Sequence, residues 1–334
     1  MELRREVITT EILDPRHGFE PRSSSIELRW DPLTGHTSRL FEPRGLMADT
    51  QGLEDLAKQT EPACPFCVDR IEQQTPRFPP DVVPAGRIRR GEAVLFPNLH
   101  GYAALSSVSA YSPRLHFLPL GAMTERLVVD NLLAQIAFVR AAQRARADAV
   151  WSSVNANHMP PSGSALFHPH LQGLVDPRPT TMQRLLLGVS DELVTEYVEA
   201  EQREGHRWLG STGRVAWLCA FAPIGPAEIR AFVPGAVGIA EVPDDLAEEV
   251  GRGIAAVLAL YSDLGFESFN LAMYGAPPGT RGYVLSLRMV ARANPRPHVR
   301  SDATHLERLH WEAGIDVWPE RVAEAGRRRF EGLG

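Results

Sequence analysis

Lysine is all but missing from this chain. Lys58 is the only one in 334 residues, and the other 34 of its 35 basic side chains are arginines. With no Gly-Lys-Ser/Thr segment there is no phosphate loop of the nucleoside-triphosphatase kind, and a Schiff-base lysine is not expected. No glycine-rich dinucleotide fingerprint follows a strand-like run. Cysteine is scarce and odd in number, at Cys64, Cys67 and Cys219, which argues against a disulfide framework and for a reducing compartment. Positive charge is in deficit. With 41 acidic residues against 35 basic ones the formal net charge is −6, so there is no bulk pull toward nucleic acid or anionic membrane, and neither is expected as a partner. No apolar run reaches bilayer length, and the N-terminal residues lack the apolar core of a secretory leader. The expected location is cytoplasmic.

What is present suits a large core, since 44% of the residues are hydrophobic. Residues 1–60 are polar and rich in turn signals, such as Asp31-Pro32-Leu33-Thr34-Gly35, and 61–90 read as proline-rich loop. From there the pattern sharpens. Strands are expected at 93–96 and 103–108, and a helix over 124–146 with Leu127, Leu132, Leu133, Ile136 and Val139 on one face and Thr124 as its cap. Two further strands follow at 149–154 and 165–174. The same order recurs later: strands at 215–221 and 228–233, a helix capped by Asp244 or Asp245, then strands at 269–273 and 283–290. Between the two copies, 180–204 reads as helical. The expected class is α+β, with duplicated halves at 1–176 and 213–334 and a helical insertion at 177–212.

The chemistry concentrates between Asn157 and Gln172. In an extended strand His168, His170 and Gln172 share one face, with Phe167, Leu171 and the Pro169 ring on the other. Proline cannot donate to a ladder, so this strand is expected at an edge or rim. Three polar side chains beside the Ser162-Gly163-Ser164 loop suit an anion such as phosphate. Cys64-Pro65-Phe66-Cys67 offers two thiolates to a tetrahedral metal site that needs two more ligands. His116 and His168 would complete a Cys2His2 set, with His100 as the rival to His116.

These residues resemble the galactose-1-phosphate uridylyltransferases of the histidine-triad superfamily. The matches fall in order: Trp30-Asp31-Pro32-Leu33-Thr34-Gly35, Pro43-Arg44, the Cys64–Cys67 pair, Phe96-Pro97-Asn98, Tyr102-Ala103-Ala104-Leu105, Ser112-Pro113 before His116, His168-Pro169-His170-x-Gln172, and Tyr274-Gly275-Ala276-Pro277. The resemblance implies duplicated histidine-triad-like halves, antiparallel sheets with packed helices. It implies that His170 attacks the α-phosphorus of a nucleotide sugar and that Gln172 binds the phosphoryl oxygens. A nucleotidyl-histidine then passes its nucleotide to a sugar 1-phosphate. Inorganic phosphate or water as acceptor, or nucleotide binding without turnover, are the alternatives. It further implies one structural zinc on Cys64, Cys67, His116 and His168, substrate contacts from Arg44, Phe96, Asn98, Asn157, Ser162, Ser164 and Glu312, and a homodimer. Three departures stand out. Ser286, Arg288 and Tyr274 occupy positions where the family carries histidines of a second metal site, so that site is expected to be absent, with the Arg288 charge in its place. Ala165 stands where many members carry a phosphate-binding serine. Trp311-Glu312 is the counterpart of the family's sugar-contacting aromatic-Glu pair.

Overall fold

The computed structural model describes residues 1–42, 52–296 and 301–334. The chain opens with β1 (Arg5–Asp14), β2 (Glu20–Trp30) and β3 (Thr37–Leu40), followed by the short helices α1 (Leu53–Thr60) and α2 (Ile71–Gln74). The first half then runs β4 (Ile88–Arg90), β5 (Ala93–Pro97), β6 (Leu105–Ala110), α3 (Glu125–Ala145), β7 (Trp151–His158) and β8 (His170–Asp176). After α4 (Thr181–Leu186) and α5 (Asp191–Glu204), the second half repeats the order. It comprises β9 (Trp208–Thr212), β10 (Val215–Cys219), β11 (Ile229–Val233), α6 (Asp244–Asp263), β12 (Ser268–Gly275) and β13 (Leu285–Arg292). Strand β14 (Ala313–Ile315) and α7 (Pro319–Gly326) complete the described elements.

Ten strands form one antiparallel sheet in the order β4-β5-β6-β8-β7-β12-β13-β11-β10-β9. Read inward from either edge, each half contributes its strands in the same sequence, so the sheet has a pseudo-twofold axis between β7 and β12. Strand β9 lies inside the 177–212 span expected to be helical; the helices there end at Glu204, and Trp208–Thr212 is a sheet edge.

Helices α3 and α6 pack together on one face of the sheet. The apolar stripe of α3, from Leu127 through Leu132 and Ile136 to Val139, meets Leu246, Val250, Ile254, Val257 and Leu258 of α6 in a single core. Thr124 caps α3 by accepting from the Leu127 N–H at 3.3 Å. At α6 the expected Asp cap is not found. Pro243 holds that position, and Asp244 and Asp245 lie within the first turn, where negative charge still suits the helix dipole. Gly253 lets α6 approach the sheet: a Cβ there would stand 2.1 Å from the Trp217 indole of β10.

The opposite face is covered at both ends and open in the middle. Over the first half, Cys64, Phe66, Cys67 and Ile71 pack on Val94, Phe96, Val108 and Ala110. Over the second, Leu33, Val194 and Tyr197 pack on Leu218 and Phe232. Between them the central strands alternate buried with half-buried residues. Asn155, Asn157, Gln172, Asn270, Ala272 and Tyr274 supply the half-buried set, a polar floor across the dyad.

A smaller sheet, β1-β2-β3-β14, is built from the chain's first residues and β14, which runs parallel to β3. The ten-pair β1–β2 hairpin falls where the sequence shows only polar residues and turn signals, and no strand is expected there. Most of its residues are exposed on both faces, so it carries no apolar–polar alternation to read. Among the described residues no helix is long and apolar enough to cross a membrane.

Candidate active site and metal centre

Strand β8 begins at His170, so Pro169 sits one residue before the ladder. Its carbonyl accepts from the Tyr111 N–H at 3.2 Å, and no donation is asked of it. The strand therefore lies in the interior of the sheet, between β6 and β7, and not at the expected rim. Proline is compatible with an interior strand when it precedes the first ladder residue.

Cys64, Cys67, His116 and His168 converge, all buried, with their ligand atoms within 4.8 Å of one another. His168 Nδ1 stands 3.6 Å from Cys64 Sγ and 3.7 Å from Cys67 Sγ, and His116 Nδ1 stands 3.5 Å from Cys67 Sγ. Zn–S and Zn–N bonds of about 2.3 and 2.0 Å set at tetrahedral angles imply S···N edges of about 3.6 Å. The tautomers fit as well. His168 Nε2–H donates to the Ser112 carbonyl at 2.9 Å. His116 Nε2 meets Thr60 Oγ1 at 3.0 Å, and that hydroxyl already donates to the Ala57 carbonyl, so the ring nitrogen is the donor. Both rings thus turn a bare Nδ1 toward the sulfurs, the outer hydrogen bonds fixing them as in metal-bound histidines. Burial lowers the pKa of both imidazoles, which favours the neutral ligand form. His116, not His100, joins the set.

Phe66, between the two cysteines, packs edge-on against His170 with ring centroids 5.5 Å apart, and against His168 at 5.9 Å. His170 is itself buried, and its Nδ1–H donates to the His168 carbonyl at 2.8 Å. A carbonyl only accepts, so the proton is on Nδ1 and the lone pair on Nε2. Burial pulls the imidazole pKa down and keeps it neutral. Gln172 follows on the same face, half-buried, opposite Val108 and Asn155. Its side-chain amide makes no hydrogen bond to the described residues.

The remaining expected contacts are distributed unevenly. Asn157 lies on the open face two residues beyond Asn155. Ser162 donates to the His158 and Met159 carbonyls, and Ser164 to that of Leu166, so both hydroxyls are engaged within the loop. Phe96 is buried beneath Phe66, their centroids 5.1 Å apart. Asn98 follows β5 directly and accepts from the His100 N–H. Glu312 accepts from Thr37 and Arg39 of β3 and borders a hollow of about 380 Å³ with His36 and Trp311. Arg44 lies outside the described residues. Sequence reasoning did not single out Phe66, which reaches the His170 ring from between the two cysteines.

Across the dyad, Ser286 and Arg288 of β13 are the register counterparts of His170 and Gln172. Arg288 is buried and pairs with Glu228 at 3.3 Å; Glu228 also holds Arg230, which pairs in turn with Asp31. A closed group of two arginines and two carboxylates fills this region.

No family model matches the chain. An uncharacterized protein of Archaeoglobus fulgidus is 27% identical over 344 residues, with both chains covered in full. The solved structures similar to this chain include the following three. A GalT-like protein from Arabidopsis thaliana has a TM-score of 0.65 and 18% identity, over 90% of this chain and 98% of that one. An ADP-glucose phosphorylase from the same plant, with ADP-glucose bound, gives 0.66 and 18% over the same shares. A uridylyltransferase gives 0.63 and 19%, over 91% and 98%. The duplicated sheet with its paired helices is the fold these proteins share with this chain.

Proposed function

We propose that this protein is a nucleotidyltransferase of the galactose-1-phosphate uridylyltransferase type, within the histidine-triad superfamily. Its substrates would be a nucleotide sugar and a sugar 1-phosphate. The observation that carries the reading is the His170 ring: neutral, pinned through Nδ1–H to the His168 carbonyl, with Nε2 free. Nε2 attacks the α-phosphorus, and the bond to the bridging oxygen breaks. The leaving group is the sugar 1-phosphate, and the nucleotide stays on nitrogen. A phosphate oxygen of the acceptor then attacks the same phosphorus and the N–P bond breaks. One displacement becomes two, with ping-pong kinetics. Gln172 offers its N–H groups to the phosphoryl oxygens as charge grows there. Cys64, Cys67, His116 and His168 would hold a structural zinc, which would lock the strand carrying His170.

Capture of label tests this. Protein is mixed with α-labelled UDP-glucose or ADP-glucose and quenched under alkaline denaturing conditions, because a P–N bond is acid-labile. Wild type should retain the nucleotide, and His170→Gly should lose capture by about a thousandfold or more. Equal capture by His170→Gly, or none by wild type, overturns the proposal. Product analysis with sugar 1-phosphate and with inorganic phosphate then identifies the acceptor; the second belongs in the test because one fold neighbour is a phosphorylase.

A further inference from the structure

A chain of side-chain hydrogen bonds crosses from the second half to the first on the open face of the sheet. Arg292, at the end of β13, is held through Nε by Asp302 at 3.1 Å and donates from Nη1 to Asn270 Oδ1 at 2.7 Å. Asn270, in β12, donates from Nδ2 to Asn157 Oδ1 at 2.7 Å and to the Ser162 carbonyl at 2.9 Å.

The polarity of this chain is forced. A guanidinium has only donors, so it meets the oxygen of Asn270. A backbone carbonyl only accepts, so Ser162 independently demands the Asn270 nitrogen. The Asn157 atom that meets this nitrogen must then be its oxygen. The Asn157 Nδ2–H2 group is left over, with no hydrogen bond to the described residues. It lies near the loop before the active strand: a Cβ at Gly163 would be 3.9 Å from it. Asn155 stands opposite Gln172 in the antiparallel β7–β8 pair, so two residues on, Asn157 shares the face of His170.

We infer that Asn270 and Arg292 are positioning residues for the transfer on His170, holding the Asn157 amide with Nδ2–H turned to the phosphoryl group. The inference rests on the proposed function and adds the orientation device. A donor aimed at phosphoryl oxygens stabilises the charge that develops on them; the amide oxygen in its place would repel that charge. The chain comes from the opposite half, so both copies of the duplicated unit serve one catalytic centre.

Reversing the polarity without removing a side chain is the test. Asn270→Asp has the shape of asparagine and keeps its bond to Arg292, now as an ion pair, but turns an oxygen to Asn157. The Asn157 amide rotates to donate to it and presents its own oxygen to the site. The rate of label capture should fall about a hundredfold, the cost typical of one lost donor. The loss should fall on kcat far more than on KM, a split that a merely structural role would not give. Arg292→Met, which keeps the aliphatic length but offers Asn270 Oδ1 no donor, should also lose rate, while Arg292→Lys, still donor-only, should stay well above it. Capture by Asn270→Asp at the wild-type rate, or equal rates for the two Arg292 variants, overturns the inference and leaves the function standing. Calorimetric binding of UMP and AMP covers the other case. If wild type binds nucleotide without capturing it, the transfer reading fails, while weaker binding by Asn270→Asp still supports the orientation and unchanged binding rejects it. If wild type neither binds nor captures nucleotide, both fall.

Discussion

Cys64 shows what the metal centre requires of a single residue. Burial pushes its thiol up to about 11, so on its own it stays protonated at neutral pH. A divalent cation between four converging ligand atoms displaces that proton, and the binding energy becomes folding energy. Metal analysis of native protein should therefore give one zinc per chain. Cys64→Ser should lose the zinc and lower the thermal midpoint. Label capture should fall as well, because Phe66, in the loop that the metal would hold, packs edge-on against His170. Two zinc ions per chain, or zinc retained in Cys64→Ser, would contradict the assignment. The centre was legible in the sequence because thiol spacing and the His-Pro-His-x-Gln strand are local patterns. Asn270 and Arg292 were not, because a hydrogen-bond relay across three strands leaves no mark on the order of residues.

At the level of elements, Asp31 joins the N-terminal sheet to the large one. It follows β2 directly, accepts from the Leu33 and Thr34 N–H groups, and pairs with Arg230 of β11. The nearby Arg230 and Arg288 charges outweigh burial and hold its carboxyl well below the usual range. The stabilisation is complete above the unfolded carboxylate pKa of about 3.9 and is lost as the pH falls through the lower folded value. Asp31→Asn should cost about 3–5 kcal/mol at neutral pH, because it leaves Arg230 buried with less compensation. Its denaturation midpoint should then change less than that of wild type as the pH is lowered toward 3. Parallel acid profiles would show that the link is not electrostatic. The sequence displayed Asp31 as a turn residue and Arg288 as a departure from a metal site, but only the folded register makes them members of one charge group. The helices α3 and α6 were visible beforehand because one-sided packing imposes a 3.6-residue period.

The whole molecule leaves one long strand with an unpaired outer edge, since β1 ends the four-stranded sheet among the described residues. Arg4 O accepts from Trp30 N at the start of the hairpin, so odd positions of β1 turn their N–H and C=O groups outward. Val7, Ile12 and Leu13 on this strand are more than half exposed. An edge of this kind pairs with another chain unless it is blocked by charge, proline or a bulge. The sequence favours a second copy. A twofold perpendicular to the sheet allows only registers in which opposed residues have the same parity. The register centred on Thr10 sets Val7 on Leu13, hydrogen-bonded through outward groups, and Ile8 on Ile12. Glu6 then faces Asp14, whose charge Arg16 already engages at 2.8 Å. Such pairing would give the homodimer that the resemblance implies, joined as one continuous sheet. Sedimentation should give twice the chain mass for wild type. Val7→Glu and Leu13→Lys should each give monomers, and the double variant should recover the dimer because its new charges oppose each other at both symmetric sites. A monomeric wild type, or a double variant no more associated than either single one, would remove β1 as the interface and leave the His170 chemistry untouched.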